Sequence, residues 1–289
     1  SLGNSPDPIR LIDQYGADGV RVGMLLCSPA GNDLLFDESL TAQGRNFGNK
    51  IWNAFRLIKN WKVDDTLQQP EYARETVAWF KHRLNMAIEE LDKQYNQFKL
   101  SEALMNLYRL FWEDFSSWYL EIIKPAYQQS IDQQTYDLTL DFFEKLMQML
   151  HPIMPFITEE IWHLIRNRAN DESLMISRAP VAEAYDRQQI DVFENVKEII
   201  TAVRNIRKDK QISNHEELTL KYNGKHIGEY DPVIHKLAHV DRIEEIQDRL
   251  ENAVTFMVRT TEYSIPLPET VDAGDRKSTR LNSSHYRTS

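Results

Sequence analysis

Residues Gly44–Trp61 read GRNFGNKIWNAFRLIKNW. Phe47, Ile51, Ala54 and Ile58 return every three or four positions. On a helix turning about 100° per residue this places them on one apolar stripe. At the same pitch Lys50, Asn53 and Leu57 share an adjoining arc of roughly 60°. The segment from Ser39 to Val63 carries five bases (Arg45, Lys50, Arg56, Lys59 and Lys62) and no acid, in a chain of net charge -10. Phe47, Trp52, Phe55 and Trp61 are interleaved with them. An acidic protein that clears carboxylates from one aromatic-rich stretch suits a local polyanion, because cations neutralise phosphates and flat rings take unpaired bases. The plain alternative is an amphipathic border where lysine snorkels and asparagine meets water.

The helical period continues for more than a hundred residues. Asp7-Pro8 opens a helix that breaks at Gly16, and Asp18 is placed to cap the next. Leu84, Ile88, Leu91, Tyr95 and Phe98 form a second buried stripe. Ser101 caps a helix whose inward side is Leu104, Leu107, Phe111, Phe115, Trp118 and Ile122, ending near Lys124-Pro125. Thr135 caps another with Leu138, Phe142, Leu146, Met149 and Leu150 inward, and a further helix starts near Thr158. Long helices on short links predict a mainly α, antiparallel helical bundle. Beyond Asn170 a polar stretch leads to a helix through Val192, Val196, Ile199, Val203 and Ile206. The alternating runs ELTLKY and AVTFMVR then read as strands of a small α+β domain. The expected division is 1–39, a bundle over 40–170, a linker over 171–187, the α+β domain over 188–268, and a polar tail over 269–289. That tail reads as disordered or as a cloning or sequencing scar.

At 289 residues and 42% hydrophobic the chain holds more than one domain. Its single cysteine, Cys27, leaves no internal disulfide and fits a reducing, cytoplasmic setting. No apolar run approaches the roughly 20 residues that span a bilayer, so no membrane partner is expected. His235 and His239 have the helical spacing of zinc ligands, but Lys236 stands where the glutamate of such a motif belongs, and no metal site is expected. Adjacent acids such as Glu89-Glu90 and Glu159-Glu160 point apart on a helix. No phosphate-binding glycine loop and no nucleophile elbow is present. No catalytic residue is therefore expected.

Several stretches resemble one family. SLGNSPDP, at residues 1–8, is similar to the sequence that includes and follows the last serine of the KMSKS signature of class I aminoacyl-tRNA synthetases. YGADGVR (Tyr15–Arg21) resembles the segment after it. GRNFGNKIWNAFRL, FWEDFSSWYLEIIKP (Phe111–Pro125) and LHPIMPFITEEIW (Leu150–Trp162) are similar to the anticodon-binding half of the valine, isoleucine and leucine enzymes. The combination GNDLLFDE with GRNF-NKIWNA leans to the valine enzymes. The resemblance covers about Ser1 to Asp272 and fails near Gly274, where a helical arm should begin.

That resemblance implies a piece of a valine–tRNA ligase that binds tRNA(Val), as a monomer and without DNA. ATP and Mg would belong to the full enzyme and no cofactor to this piece, with Ser1 the remnant of the ATP-binding loop. Editing of misacylated threonine would also reside elsewhere. By motif position Lys50 and Asn53 match residues that contact the middle adenine and third-position cytosine of the anticodon. Leu57 stands where an aromatic stacks, and Leu120 matches an apolar residue closing the pocket. Ser39 replaces an arginine, Ser117 an aspartate and Gly48 a small side chain of some members. Arg45, Arg56, Arg204, Arg207 and Lys208 are candidates for the tRNA backbone; for the second cluster a solvated helix end is the alternative. The rivals are an isoleucine or leucine enzyme and a helical scaffold that docks a protein through Trp52 and Trp61.

Overall fold

The computed structural model describes residues 6–27, 36–169 and 171–266. Residues 1–5, which include Ser1, residues 28–35, Asn170 and the tail from residue 267 lie outside them. The chain divides into two units, one running through Glu194 and the other starting at Asn195. The expected boundary at 188 lies inside one continuous helix, α9 (Arg187–Asp209), and the division falls within that helix.

The first unit is helical. Helix α1 (Pro8–Tyr15) starts on Asp7, whose carboxylate accepts the Ile9 N–H at 3.0 Å, and ends at Gly16 with φ 76°. Helices α2 (Ala17–Leu26) and α3 (Glu38–Lys59) approach until only glycine fits between them. A Cβ on Gly23 would lie 2.5 Å from Thr41 Cγ2, and one on Gly44 would lie 2.4 Å from the Gly19 carbonyl oxygen. Asp18 does not cap α2. Its two carboxylate oxygens accept the N–H groups of Phe156 (3.3 Å) and Ile157 (2.7 Å), so it serves the opening turn of α8 (Pro155–Ile165), far along the chain.

Helix α4 (Glu71–Asn96) buries Trp79, Phe80, Leu84, Ile88 and Leu91. Phe98, expected on that stripe, is 84% exposed. The helix closes with Lys99 N–H donating to the Gln94 carbonyl (2.9 Å) and Phe98 N–H donating to that of Tyr95 (3.0 Å). This closure puts Phe98 in the left-handed position a glycine usually takes, φ 56°, with its ring turned out.

The next helical run is not uniform. Helix α5 (Leu100–Arg109) passes into a π-helix over Leu110–Tyr119 and back to α6 (Leu120–Ile123). The wider turn, with its i→i+5 bonds, changes which side chains face the core. Phe111, Phe115 and Tyr119 are fully buried four apart, whereas Trp118, expected inward, is only half-buried. Ser101 is no cap either; its hydroxyl donates to the Leu25 carbonyl at 2.6 Å. Helix α7 (Gln133–Leu150) is capped by Asp132, which accepts the Thr135 N–H at 2.8 Å, so Thr135 is the capped residue and not the cap. Two short strands, β1 (Val63–Asp64) and β2 (Ile131–Asp132), pair in parallel beneath these helices.

At the centre lies an aromatic cluster. Phe80 meets Phe115, Tyr119 and Phe142 at 5.3, 4.9 and 5.1 Å between centroids, and Phe111 meets Phe143 at 5.9 Å. Thr139 donates to the Thr135 carbonyl at 2.7 Å, so the Tyr119 hydroxyl, 2.8 Å from Thr139 Oγ1, is the donor in that pair. Residues 171–187, read as a linker, are tied along the bundle. Glu159 accepts the Leu174 N–H, Asn85 accepts that of Glu183 at 2.9 Å, and Tyr185 donates to Glu89 at 2.7 Å.

The second unit holds a four-stranded sheet ordered β4-β3-β6-β5, formed by β3 (Leu218–Asn223), β4 (Val240–Glu245), β5 (Ala253–Val258) and β6 (Thr261–Pro266). Strands β3 and β4 are parallel, joined through α10 (Asp231–Ala238), while β6 runs antiparallel to β3 and β5. The reading of ELTLKY and AVTFMVR as strands matches β3 and β5. Arg207, 3% exposed, is the staple of this unit. Its guanidinium donates to the carbonyls of Ala238 (3.0 Å), Ser213 (2.7 Å), Glu216 (2.9 Å) and His239 (2.6 Å).

Two outcomes follow for stability. Gly44→Ala should lower the unfolding free energy by about 1–3 kcal/mol, because its methyl has no room. Gly48→Ala meets only Met154 and Ile157 at ordinary contact distance, and should be neutral or stabilising by up to about 1 kcal/mol through helix propensity. Urea titrations of the two variants beside the parent check this pair. Arg207→Met should cost about 2 kcal/mol or more by stranding several buried carbonyls, seen as selective loss of amide protection in β3, β4 and α10 by hydrogen exchange.

Candidate RNA-binding face of the long basic helix

Helix α3 is held at its start and along its inner side. Asp37 caps it by accepting the Ser39 N–H at 2.8 Å, and the Ser39 side chain foremost, with that N–H, holds the Asp37 carboxyl below its ordinary range. Glu38 is engaged by Arg10 at 2.7 Å and by the Tyr15 hydroxyl at 3.1 Å; Arg10 foremost keeps its carboxyl below the usual carboxylate range. Both acids at the start of α3 are thus spent on local partners. Thr41, Gly44, Phe47, Ile51, Ala54, Phe55 and Ile58 form the buried side.

The sequence-derived residues separate as follows. Lys50 is half-buried, and Asn53 and Leu57 are exposed, Leu57 at 38%. Steps of three and four residues set them on one side of α3, about 10 Å from end to end. Leu120 is not among them. It is 2% exposed on α6, turned inward by the π-helix that precedes it, so it supports the core and lines no open cleft. Arg45 and Arg56 are exposed, with Arg45 also donating to the Gln14 carbonyl at 3.2 Å. Trp52 and Trp61, the anchors of the scaffold alternative, are half-buried, and Trp52 packs on Phe55 at 5.5 Å.

In the second unit Arg207 leaves the set of RNA contacts, because its guanidinium is buried among carbonyls. Arg204 donates to the Leu237 carbonyl at 3.1 Å from an exposed position, and Lys208 is exposed. His239 has left helix α10 in the left-handed conformation, φ 53°, and His235 Nδ1 lies 2.6 Å from the Val240 carbonyl oxygen, so the pair shares no helical face. Among the described residues no group of three or more His, Cys, Asp or Glu is placed to hold a metal ion, and no helix is long and apolar enough to cross a membrane.

Helical periodicity misses two aromatic residues. Tyr108 and Trp112 stack at 5.3 Å with planes 16° apart, and the Lys50 ammonium sits 5.3 Å from the Trp112 ring centroid. Neither lies on the apolar stripe that the α-period picks out. Tyr108, at the end of α5, packs on Phe47 of α3, and Trp112 follows it in the π-helix, whose onset no spacing in the sequence announces.

Comparison with known proteins finds a matching family model and tRNA-ligase relatives. Residues 77–222 match the family model described as the anticodon-binding domain of tRNA ligase. The chain is 52% identical over 267 residues to a valine–tRNA ligase of Parabacteroides distasonis, covering 92% of this chain and 31% of that protein. It is 48% identical over 272 residues to that of Porphyromonas gingivalis, covering 94% and 31%. A solved LeuRS–tRNA–LeuAMS complex of Agrobacterium radiobacter K84 aligns at 15% identity and TM-score 0.45, over 86% of this chain and 30% of that one. The chain thus spans about a third of the length of the curated relatives it matches. By the family model that spans α4 to β3, the chain belongs to the anticodon-binding domain family of tRNA ligases.

Proposed function

We propose that this chain is the anticodon-reading part of a valine–tRNA ligase and binds tRNA(Val) through the Lys50–Asn53–Leu57 side of α3, in the cytoplasm and as a monomer. What carries the reading is one helix side that presents an ammonium, a carboxamide and an aliphatic patch, with no acid between Ser39 and Val63. Lysine supplies charge to a phosphate or a donor to a base edge, asparagine both donates and accepts, and leucine covers part of a ring face. The relatives' name supports valine as the amino acid of the whole enzyme. ATP and Mg would act in the part of the enzyme that this chain does not span. Ser1, the expected remnant of the ATP-binding loop, lies outside the described residues. Arg45 and Arg56 would meet the RNA backbone, and Arg204 and Lys208 are left as exposed cations for the same role.

Binding of labelled anticodon stem-loops tests the proposal. Lys50→Ala and Asn53→Ala should each weaken binding of the valine stem-loop by about 1–3 kcal/mol, the scale of one lost base contact. Lys50→Ala should also reduce the slope of log K against log salt by about one if the ammonium meets phosphate. Equal binding by the parent and both variants counts against this face. Equal binding of valine, isoleucine and leucine stem-loops counts against valine.

A further inference from the structure

The site as read from α3 lacks one chemical part. A base splayed out of an RNA loop needs a flat partner, and Leu57 has no π-face. The structure holds such a surface on the neighbouring run. Phe47, fully buried on α3, packs on Tyr108 at 4.8 Å, Tyr108 stacks on Trp112 at 5.3 Å, and the Lys50 ammonium lies 5.3 Å from the Trp112 centroid. This is a ladder of rings, anchored in the core at Phe47 and reaching half-buried positions at Tyr108 and Trp112. The backbone beneath Trp112 is pinned as well, since its carbonyl accepts the Ser117 hydroxyl at 2.9 Å within the π-helix. A rigid indole with a cation above it and a carboxamide one turn along the facing helix combines stacking, charge and edge recognition.

We propose that Trp112 is the base-stacking platform of this site, taking the ring of the anticodon-loop nucleotide that Lys50 contacts. The inference rests on the function proposed above. It adds a binding residue from a second element, so recognition takes place between α3 and the π-helix and not on α3 alone. In the free protein the ring shelters the Lys50 ammonium. On binding, the ammonium moves to the RNA and a base takes its place on the indole. An unpaired nucleotide matches both groups at once, offering an anion to the lysine and a flat ring to the tryptophan, whereas an apolar peptide would use only the ring. Ser117 belongs to the segment that sets this geometry.

The test uses the whole chain and anticodon stem-loop RNA carrying, at each anticodon position in turn, an abasic nucleotide or 2-aminopurine. Trp112→Leu should weaken the unmodified stem-loop about five- to 150-fold, the worth of one stacked base, while Trp112→Phe keeps most of the affinity. An abasic nucleotide at one position should cost the parent that factor and cost Trp112→Leu nothing further. In the parent, 2-aminopurine at that same position should be quenched on binding, a readout that needs no variant to fold. Full affinity in Trp112→Leu, or equal abasic losses in parent and variant, or no position-specific quenching, overturns the stacking role. If Lys50→Ala and Asn53→Ala weaken binding in that case, the α3 reading stands and only the platform falls. If they too bind normally, the α3 reading itself has failed.

Discussion

Phe47 is in contact with the ring systems of both Tyr108 and Phe111, and this junction between α3 and the run that follows α4 sets what the rest of the first unit can do. Burying large rings supplies much of the apolar driving force, and their edge and offset contacts fix angles that aliphatic side chains would leave loose. Because Phe47, Ile51 and Ile58 are committed inward, the remaining sides of α3 are fixed in direction as well. The orientation of Lys50, Asn53 and Leu57 is therefore a by-product of core packing. Phe111 and Phe115 hold the π-helix to the same cluster, so the two walls of the candidate site share one foundation.

Much of this was legible from side-chain spacing. The stripe Phe47–Ile51–Ala54–Ile58, the break at Gly16, the end of the helical run before Lys124 and two of the four strands of the larger sheet are all written in periodicity and punctuation. What was not legible has specific causes. A π-helix has no compositional signature, so the α-period puts Trp118 inward and passes over Tyr119; Leu120, placed at the pocket by resemblance alone, is buried. Strand β4, with Asp241, Arg242, Glu244 and Glu245 among six residues, lies beside β3 despite its charges because parallel pairing follows the α10 crossover and not local hydrophobicity. Two caps failed because the partner is remote: Asp18 and Ser101 are of capping type, yet only the fold says whose backbone each one meets, while Thr135 gives way to Asp132 three positions before it.

The same distinction governs the cations. Arg21 donates to the carbonyls of Pro152 and Ile153, Arg204 to that of Leu237, and Arg207 to several more. Each closes backbone carbonyls left open at a helix end or turn, where a planar fork of donors is more useful than a point charge. A basic residue in this chain is therefore a candidate for RNA only after its local carbonyls have been accounted for. Lys50 passes that requirement because its neighbour is an aromatic ring and not an acceptor.

The pair formed by Asp18 and the opening turn of α8 spans 139 positions. At the usual pace of synthesis, about 5–20 residues per second, the carboxylate leaves the ribosome on the order of ten seconds before its partner amide exists. Meanwhile α2 has α3 available, since the close approaches of Gly23 to Thr41 and of Gly44 to Gly19 need a much shorter loop. This helical hairpin is born docked on one side and unlatched on the other, and the bolt slides home only when α8 emerges.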